Sequence, residues 1–284
     1  MDGLFSCPLL DEYLHSQRLR GRSPGTIKAY REFLTRFLRT VGKDPIDITT
    51  GDVRRFLMDE ESRGNKIATM ASKITTLNSF YTWLLREDYI VRNPMGRIDR
   101  PTVPEAPPKF LQYDEIEALR EAAAGHLFRE TVVEVLYSSG ARVSELVALD
   151  WDDIDWQAKA AVIRSGKGGK ERIVPLSTRA IRRLRRLRES RQDSDPWVFR
   201  SQFKQRISKA TIQWHLRRLQ ELAGLTTKIT PHKLRHSQAT HLLDSGMPLE
   251  QIQAILGHVN ISTTQVYART QMRHVEQHYR RMFP

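Results

Sequence analysis

A proline-rich segment divides this chain of 284 residues into two parts. The nine residues RPTVPEAPP, 100–108, contain four prolines and show no hydrophobic periodicity. Proline lacks the backbone N–H group that helices and sheets use, and proline-rich stretches favour a stiff, extended chain. The segment therefore predicts a linker between two domains that pack separately, residues 1–99 and residues 109–284.

The part before the linker shows the apolar spacing of amphipathic helices four times. One stretch begins at Ser23-Pro24, where serine can cap a helix and proline occupies its first turn. Another is capped at Thr49 or Thr50, and the last runs from about Lys66 to Asp88. We therefore predict a helical bundle for this domain, with its apolar stripes used in packing.

Two segments early in the second part carry charged groups at constrained positions. In SGARVSEL, 139–146, Gly140 is placed to end one helix and Arg142 to open another. Glu145, three residues later, lies on the same face and can orient the Arg142 guanidinium. In AAVIRSGKGGKERIVPL, 160–176, two β-rich runs flank a glycine-rich turn, which predicts a hairpin with Lys167 near its tip.

The last quarter of the chain contains arginine, histidine and tyrosine in a short region. TPHKLRHSQATHLL, 230–243, holds His232 and Arg235 in the first turn of a predicted helix, where an anion is favoured. ILGHVNISTTQVYA, 255–268, holds His258 and Tyr267. Arginine can hold two phosphate oxygens at once, and tyrosine supplies an oxygen nucleophile whose phosphoester can be displaced again. The pattern favours phosphodiester exchange without a metal.

With these residues in place, the chain resembles the tyrosine site-specific recombinase family, also called the phage integrase family, and in particular its compact Xer-type members. The resemblance extends over essentially the whole chain. It implies a mainly α fold with a small antiparallel β-sheet in the C-terminal domain, and two domains that close around DNA as a clamp. It also implies an active site of six residues supported by Glu145: Arg142, Lys167, His232, Arg235, His258 and Tyr267.

The resemblance further implies how the protein works and with which partners. The expected reaction cuts and rejoins DNA strands through a 3′-phosphotyrosyl intermediate and a Holliday junction, with no cofactor. The expected assembly is a homotetramer on two synapsed duplexes, each with a specific recombination site, or a heterotetramer with a second recombinase. The C-terminal helix would dock on a neighbouring protomer. Chromosome dimer resolution and mobile-element integration or resolution are both compatible with this pattern.

The DNA contacts of the N-terminal domain, which resembles the family's core-binding (SAM-like) domain, are expected from polar helix faces. The candidates in both domains are Lys66, Thr69, Ser72, Lys73, Lys170 and Arg172. Lys170 is also the rival of Lys167 as proton donor, because both lie in the same turn.

Two other functions remain open at this point. Residues 245–269 also fit a helix-turn-helix pattern, as in a DNA-binding regulator without enzymatic activity. A type IB topoisomerase would share the tyrosine chemistry but act without a partner site. A metal site at His232 and His236 is disfavoured, because Lys233 stands where a zinc protease helix has glutamate.

Composition agrees with a polyanionic partner. The net charge is +13, and the residues after 105 contribute +10 of it. One cysteine excludes an internal disulfide framework and suggests a reducing compartment. No apolar run approaches the length of a membrane span, so we expect a cytoplasmic protein without membrane contact.

Overall fold

The computed structural model describes residues 7–103, 110–164 and 171–257. The chain divides into two compact units, Met1–Ala106 and Pro107–Pro284, and the division falls within the proline-rich segment. Each unit has a hydrophobic core of its own.

The first unit is a bundle of four helices, as the apolar spacing predicted. They are α1 (Pro8–Leu19), α2 (Pro24–Val41), α3 (Thr50–Ser62) and α4 (Ile67–Arg86). Ser23 caps α2 by accepting a hydrogen bond from the backbone N–H of Thr26, and Thr49 forms a capping box with Asp52 at the start of α3. Aromatic side chains fill the core: the rings of Tyr13 and Phe80 meet edge to face with their centroids 5.2 Å apart.

In its described residues, the second unit is mostly helical and contains one small sheet. Its helices are α5 (Tyr113–Ala123), α6 (Leu127–Ser139), α7 (Val143–Ala148), α8 (Thr178–Glu189), α9 (Lys209–Leu222), α10 (Pro231–Asp244) and α11 (Leu249–Leu256). Helix α6 is the central one: the residues from Glu130 to Leu136 are all buried, and α5, α8, α9 and α10 pack around it. The fold is therefore mainly α, as expected.

The sheet is antiparallel with the strand order β1 (Ile154–Asp155), β2 (Ala160–Ile163) and β3 (Arg172–Pro175). Strands β2 and β3 form the predicted hairpin, with Ala161 opposite Val174 and Ile163 opposite Arg172. The two-residue strand β1 was not predicted. The segment 165–170 between β2 and β3, which contains Lys167 and Lys170, lies outside the described residues.

Within the part of the chain that the structure describes, no helix has the length and apolar character needed to cross a membrane.

Candidate active site

The junction between α6 and α7 positions the first arginine of the predicted site. Gly140 ends α6 in the left-handed conformation, with φ of 59°. A Cβ atom at this position would lie 2.1 Å from Oε1 of Gln238 and 2.8 Å from Cδ2 of Leu256, so both side chains would have to shift for a larger residue. Two residues later, Arg142 begins α7, and its side chain remains 34% exposed. The Arg142 guanidinium is thus partly exposed and lies near the residue that ends α11, Gly257.

Glu145 is the acceptor that orients Arg142, as the sequence predicted. Its Oε1 accepts a hydrogen bond from Nη1 of Arg142 at 2.7 Å, and its Oε2 accepts one from the Arg142 backbone N–H at 2.8 Å. Burial would raise the pKa of Glu145, but hydrogen bonds from Arg172 and Arg142 outweigh it and lower that pKa. The carboxylate therefore stays charged and keeps its hold on Arg142.

Helix α10 supplies Arg235 and His232 from its first two turns. Thr230 caps the helix by accepting from the backbone N–H of Lys233 at 3.1 Å, and Pro231 is its first residue. His232 is exposed. Arg235 is only 5% exposed and donates from Nη1 to the carbonyl oxygen of Gly140 at 2.6 Å. Arg235 is thereby tied to the turn that carries Arg142.

Three arginines converge on the C-terminal end of α11. Arg172 Nε donates to the Ile255 carbonyl at 2.8 Å, Arg235 Nη2 to the Leu256 carbonyl, and Arg142 Nη2 to the Gly257 carbonyl at 3.4 Å. These carbonyls have no partner within the helix and carry its partial negative charge, so cations are favoured here. The end of α11 thus gathers the two predicted phosphate-binding arginines.

Three further residues belong to the predicted site: Lys167, which precedes β3 in the sequence, and His258 and Tyr267, which follow α11. Gly257 ends α11 with φ of 63°, and His258 is the next residue. His258, Tyr267 and Lys167 lie outside the described residues, as does the C-terminal helix expected to dock in trans. The structure therefore brings Arg142 and Glu145 of one sequence segment together with Arg235 of another.

The candidate DNA contacts of the first unit differ in their surroundings. Lys66, Thr69 and Ser72 are exposed and three residues apart, so they share one face at the start of α4. Lys73, in contrast, is 11% exposed and forms an ion pair with the buried carboxylate of Glu60. Arg36 also pairs with Glu60, at 3.1 Å. Lys73 thus has a partner within the protein that the sequence did not indicate.

The comparisons with known proteins cover both units. The sequence profile of the phage integrase family matches residues 109–274, and that of the phage integrase N-terminal SAM-like domain matches residues 9–90. This chain belongs to the phage integrase family.

The similar proteins place this integrase-family chain close to Xer recombinases. Tyrosine recombinase XerC of Thermodesulfovibrio yellowstonii is 33% identical over 95% of this chain and 94% of its own length. A crystal structure of XerA recombinase is 31% identical, covers 97% of this chain and 98% of its own, and superposes with a TM-score of 0.56. A lambda integrase tetramer bound to a Holliday junction covers 89% of this chain and 76% of its own, with a TM-score of 0.72 at 22% identity.

These similarities decide between the functions left open by the sequence. The phage integrase family member described here is a tyrosine recombinase, and site-specific recombination is favoured over a regulator without enzymatic activity and over a type IB topoisomerase.

One residue of this integrase-family site has surroundings that the sequence did not predict. From the sequence, Arg172 is a candidate DNA contact together with Lys170. In the structure its side chain is 10% exposed and pairs with Glu145. No local pattern marks this contact, since the two residues are 27 positions apart in sequence.

Proposed function

We propose that this tyrosine recombinase cuts and rejoins DNA at a specific duplex site through a 3′-phosphotyrosyl intermediate. The observation that supports it most is the convergence of Arg142 and Arg235 at the end of α11, directly before His258. Two arginines from distant parts of the chain meet at one place, where their guanidinium groups can hold the oxygens of one phosphate.

Tyr267 is the proposed nucleophile. Its hydroxyl oxygen attacks the scissile phosphorus and forms an O–P bond, while the bond from phosphorus to the 5′-oxygen breaks. His232 assists in removing the tyrosine proton, and Lys167 protonates the departing 5′-oxygen. The phosphoester is exchanged rather than hydrolysed, so the reverse attack by a 5′-hydroxyl rejoins a strand without ATP.

Arg142, Arg235 and His258 are proposed to stabilise the reacting phosphate. Negative charge develops on its non-bridging oxygens during the attack, and fixed guanidinium groups in a partly buried site stabilise that charge effectively. His258 adds a hydrogen bond. Glu145 is proposed to keep Arg142 oriented through the ion pair between their side chains, in which Nη1 and Oε1 are 2.7 Å apart.

The partners follow from the reaction and the family. Strand exchange needs two duplexes and four protomers, which is the composition of a tetramer on a Holliday junction such as that of lambda integrase. We propose a homotetramer, or a heterotetramer with a second recombinase, held together by the C-terminal helix docking in trans. The two units would close on the duplex as a clamp, with residues 100–108 as the linker between domains 1–99 and 109–284.

The exposed residues Lys66, Thr69 and Ser72 are proposed to contact DNA from the N-terminal domain, with Lys73 beside them and Lys170 contacting from the hairpin. The reaction takes place on cellular DNA, and we propose the cytoplasm as its location. Chromosome dimer resolution and mobile-element integration or resolution use the same chemistry, and both are consistent with the Xer relatives.

The nucleophile is tested by Tyr267→Phe. This change removes one oxygen, so we expect loss of covalent attachment to DNA with nearly unchanged binding. The probe is the duplex that Tyr267→Phe itself enriches from a randomised library, with a nick near the scissile phosphate. After denaturation, wild type should give a slow-migrating protein–DNA band and the variant none.

Tyr279→Phe is the matched control, because Tyr279 is another tyrosine of the C-terminal region. It should form the band like wild type. A band from Tyr267→Phe, or its loss in Tyr279→Phe, would assign the nucleophile elsewhere. The absence of a band from wild type on every enriched duplex would favour the regulator.

A further inference from the structure

We propose that Arg172 is a positioning residue for strand cleavage, which fixes Arg142 through Glu145 and holds the last turn of α11 in front of His258. This inference rests on the proposed function, because it concerns the same active site.

Glu145 is shared evenly between two arginines. Its Oε1 accepts from Nη1 of Arg142 and Nη1 of Arg172, at 2.7 and 3.0 Å. Its Oε2 accepts from the backbone N–H of Arg142 and from Nη2 of Arg172, at 2.8 and 2.7 Å. Arg172 therefore makes a bidentate pair, whereas the Arg142 guanidinium uses one nitrogen. Each oxygen of the Glu145 carboxylate thus accepts two hydrogen bonds. The Arg142 guanidinium therefore pairs through one nitrogen only and remains partly exposed.

Without Arg172, the buried carboxylate would lose half of its donors. A buried, under-satisfied carboxylate is unfavourable, and the nearest remaining guanidinium is that of Arg142. Arg142 would then turn to form a two-point pair with Glu145, which is the preferred geometry of arginine and carboxylate. The proposed phosphate-binding group would be withdrawn from its place.

Exposure separates the roles of the two arginines. Arg172 is 10% exposed, and each of its three guanidinium nitrogens has a protein acceptor: two on Glu145 and the Ile255 carbonyl at 2.8 Å. Arg142 is 34% exposed. Of the two arginines that share Glu145, Arg142 therefore has the more accessible guanidinium for a phosphate, and Arg172 acts through it.

Arg172 also connects three segments of the site. It is the first residue of β3 and follows the segment that contains Lys167. It pairs with Glu145 of α7 and donates to Ile255 in the last turn of α11. A Cβ atom on Gly257 would lie 2.9 Å from Cδ of Arg172, so the chain before His258 packs directly on this side chain. One side chain thus fixes the relative positions of β3, α7 and α11.

The test compares cleavage and binding in Arg172→Met, which retains the apolar stem but no donors. On the nicked duplex enriched by Tyr267→Phe, we expect single-turnover cleavage to slow by ~10- to 100-fold, by analogy with residues that orient the ligands of a metal site. The Kd for the duplex should change by less than about threefold, because many other phosphate contacts determine affinity. Arg172→Lys keeps the charge and fewer hydrogen bonds, so it should be intermediate, and it serves as the test if Arg172→Met does not fold.

Arg120→Met is the matched control. Arg120 forms the same kind of bidentate pair with another buried glutamate of this unit, Glu134, at 2.8 and 3.1 Å. Arg120→Met should lower the free energy of unfolding as Arg172→Met does, but its cleavage rate should stay near that of wild type.

A modified substrate separates positioning from a general structural effect. If a methyl group replaces one non-bridging oxygen of the scissile phosphate, less charge develops in the transition state, and the arginines contribute less to the rate. Arg172→Met should then cleave within about threefold of wild type, as should Arg142→Lys, because both defects concern that charge.

An equal slowing of Arg172→Met on both substrates would overturn the inference, and so would wild-type rates on the normal duplex. Failure of the proposed function looks different: wild type itself would form no covalent adduct on either duplex, and the inference would fall with it.

Discussion

Arg142 and Arg235 have the same side chain in very different surroundings. Arg142 is one-third exposed and held by a carboxylate, whereas Arg235 is buried and held by the carbonyl oxygens of Gly140 and Leu256. Both are proposed to stabilise the reacting phosphate, but Arg235 donates to two buried carbonyl oxygens, whereas Arg142 makes one longer bond, 3.4 Å, to the partly exposed Gly257 carbonyl. The two arginines should therefore respond differently to the same substitution.

We expect Arg142→Lys and Arg235→Lys each to slow single-turnover cleavage on the order of 10²-fold, because lysine lacks the planar fork. Arg235→Lys should in addition lower the free energy of unfolding by about 1–3 kcal/mol, since a buried carbonyl loses its donor. Arg142→Lys should unfold in urea almost like wild type. Equal losses of cleavage and gel-shift affinity would show that these arginines serve binding alone.

At the scale of single elements, local signals were enough to predict most helices. Ser23-Pro24, Thr49 and Thr230 are caps whose hydrogen bonds lie within three residues, and each begins the helix that it predicted. The two-residue strand β1 was missed, because so short a run carries no periodicity. The pairing of Arg172 with Glu145 was missed for another reason: it joins elements 27 residues apart, and sequence shows such contacts only through the fold.

Helix α9 carries a histidine that should make the protein sensitive to acid. Burial, and then the charges of Arg129 and His126, lower the pKa of His215 to about 4. In the unfolded chain a histidine has a pKa of about 6.5. As the pH falls from that value towards 4, the unfolded state binds a proton that the folded state does not bind, so the free energy of unfolding decreases.

We therefore expect His215→Gln to lose less stability than wild type between pH 7 and pH 5, as measured by urea midpoints. For each protein, the urea midpoint at pH 5 is compared with its own midpoint at pH 7. A loss of packing that is the same at both pH values therefore does not affect the result. His15→Gln, at an exposed histidine of α1, should follow wild type. Parallel pH profiles for His215→Gln and wild type would contradict the assignment.

At the scale of the whole molecule, the two hydrophobic cores share no residue. The core of the first unit centres on the side chains of Tyr13, Phe37 and Leu77, and that of the second on Leu136 and its neighbours. In the sequence, the proline-rich segment separates the residues of the two cores. The stability of each unit should thus depend on its own core.

Leu77→Ala and Leu136→Ala test this separation, because both leucines are fully buried. Each truncation should cost about 2–5 kcal/mol in its own unit. In scanning calorimetry of the full chain, we expect two unfolding transitions. Leu77→Ala should lower the midpoint temperature of only one transition, and Leu136→Ala that of only the other. A single transition that both variants shift equally would show that the units unfold together.

The acceptors at the end of α11 have a consequence for how this protein can diverge or be engineered. They are main-chain oxygens, so they persist when exposed side chains of the helix change, and the outward positions Glu250, Gln251 and Ala254 are open to randomisation in a library. The number of residues in α11, in contrast, is constrained. One inserted or deleted residue would rotate the helix end by about 100° and shift it by about 1.5 Å, displacing all three acceptors together. Point mutations should thus accumulate at these outward positions of α11, whereas insertions and deletions should be eliminated by selection.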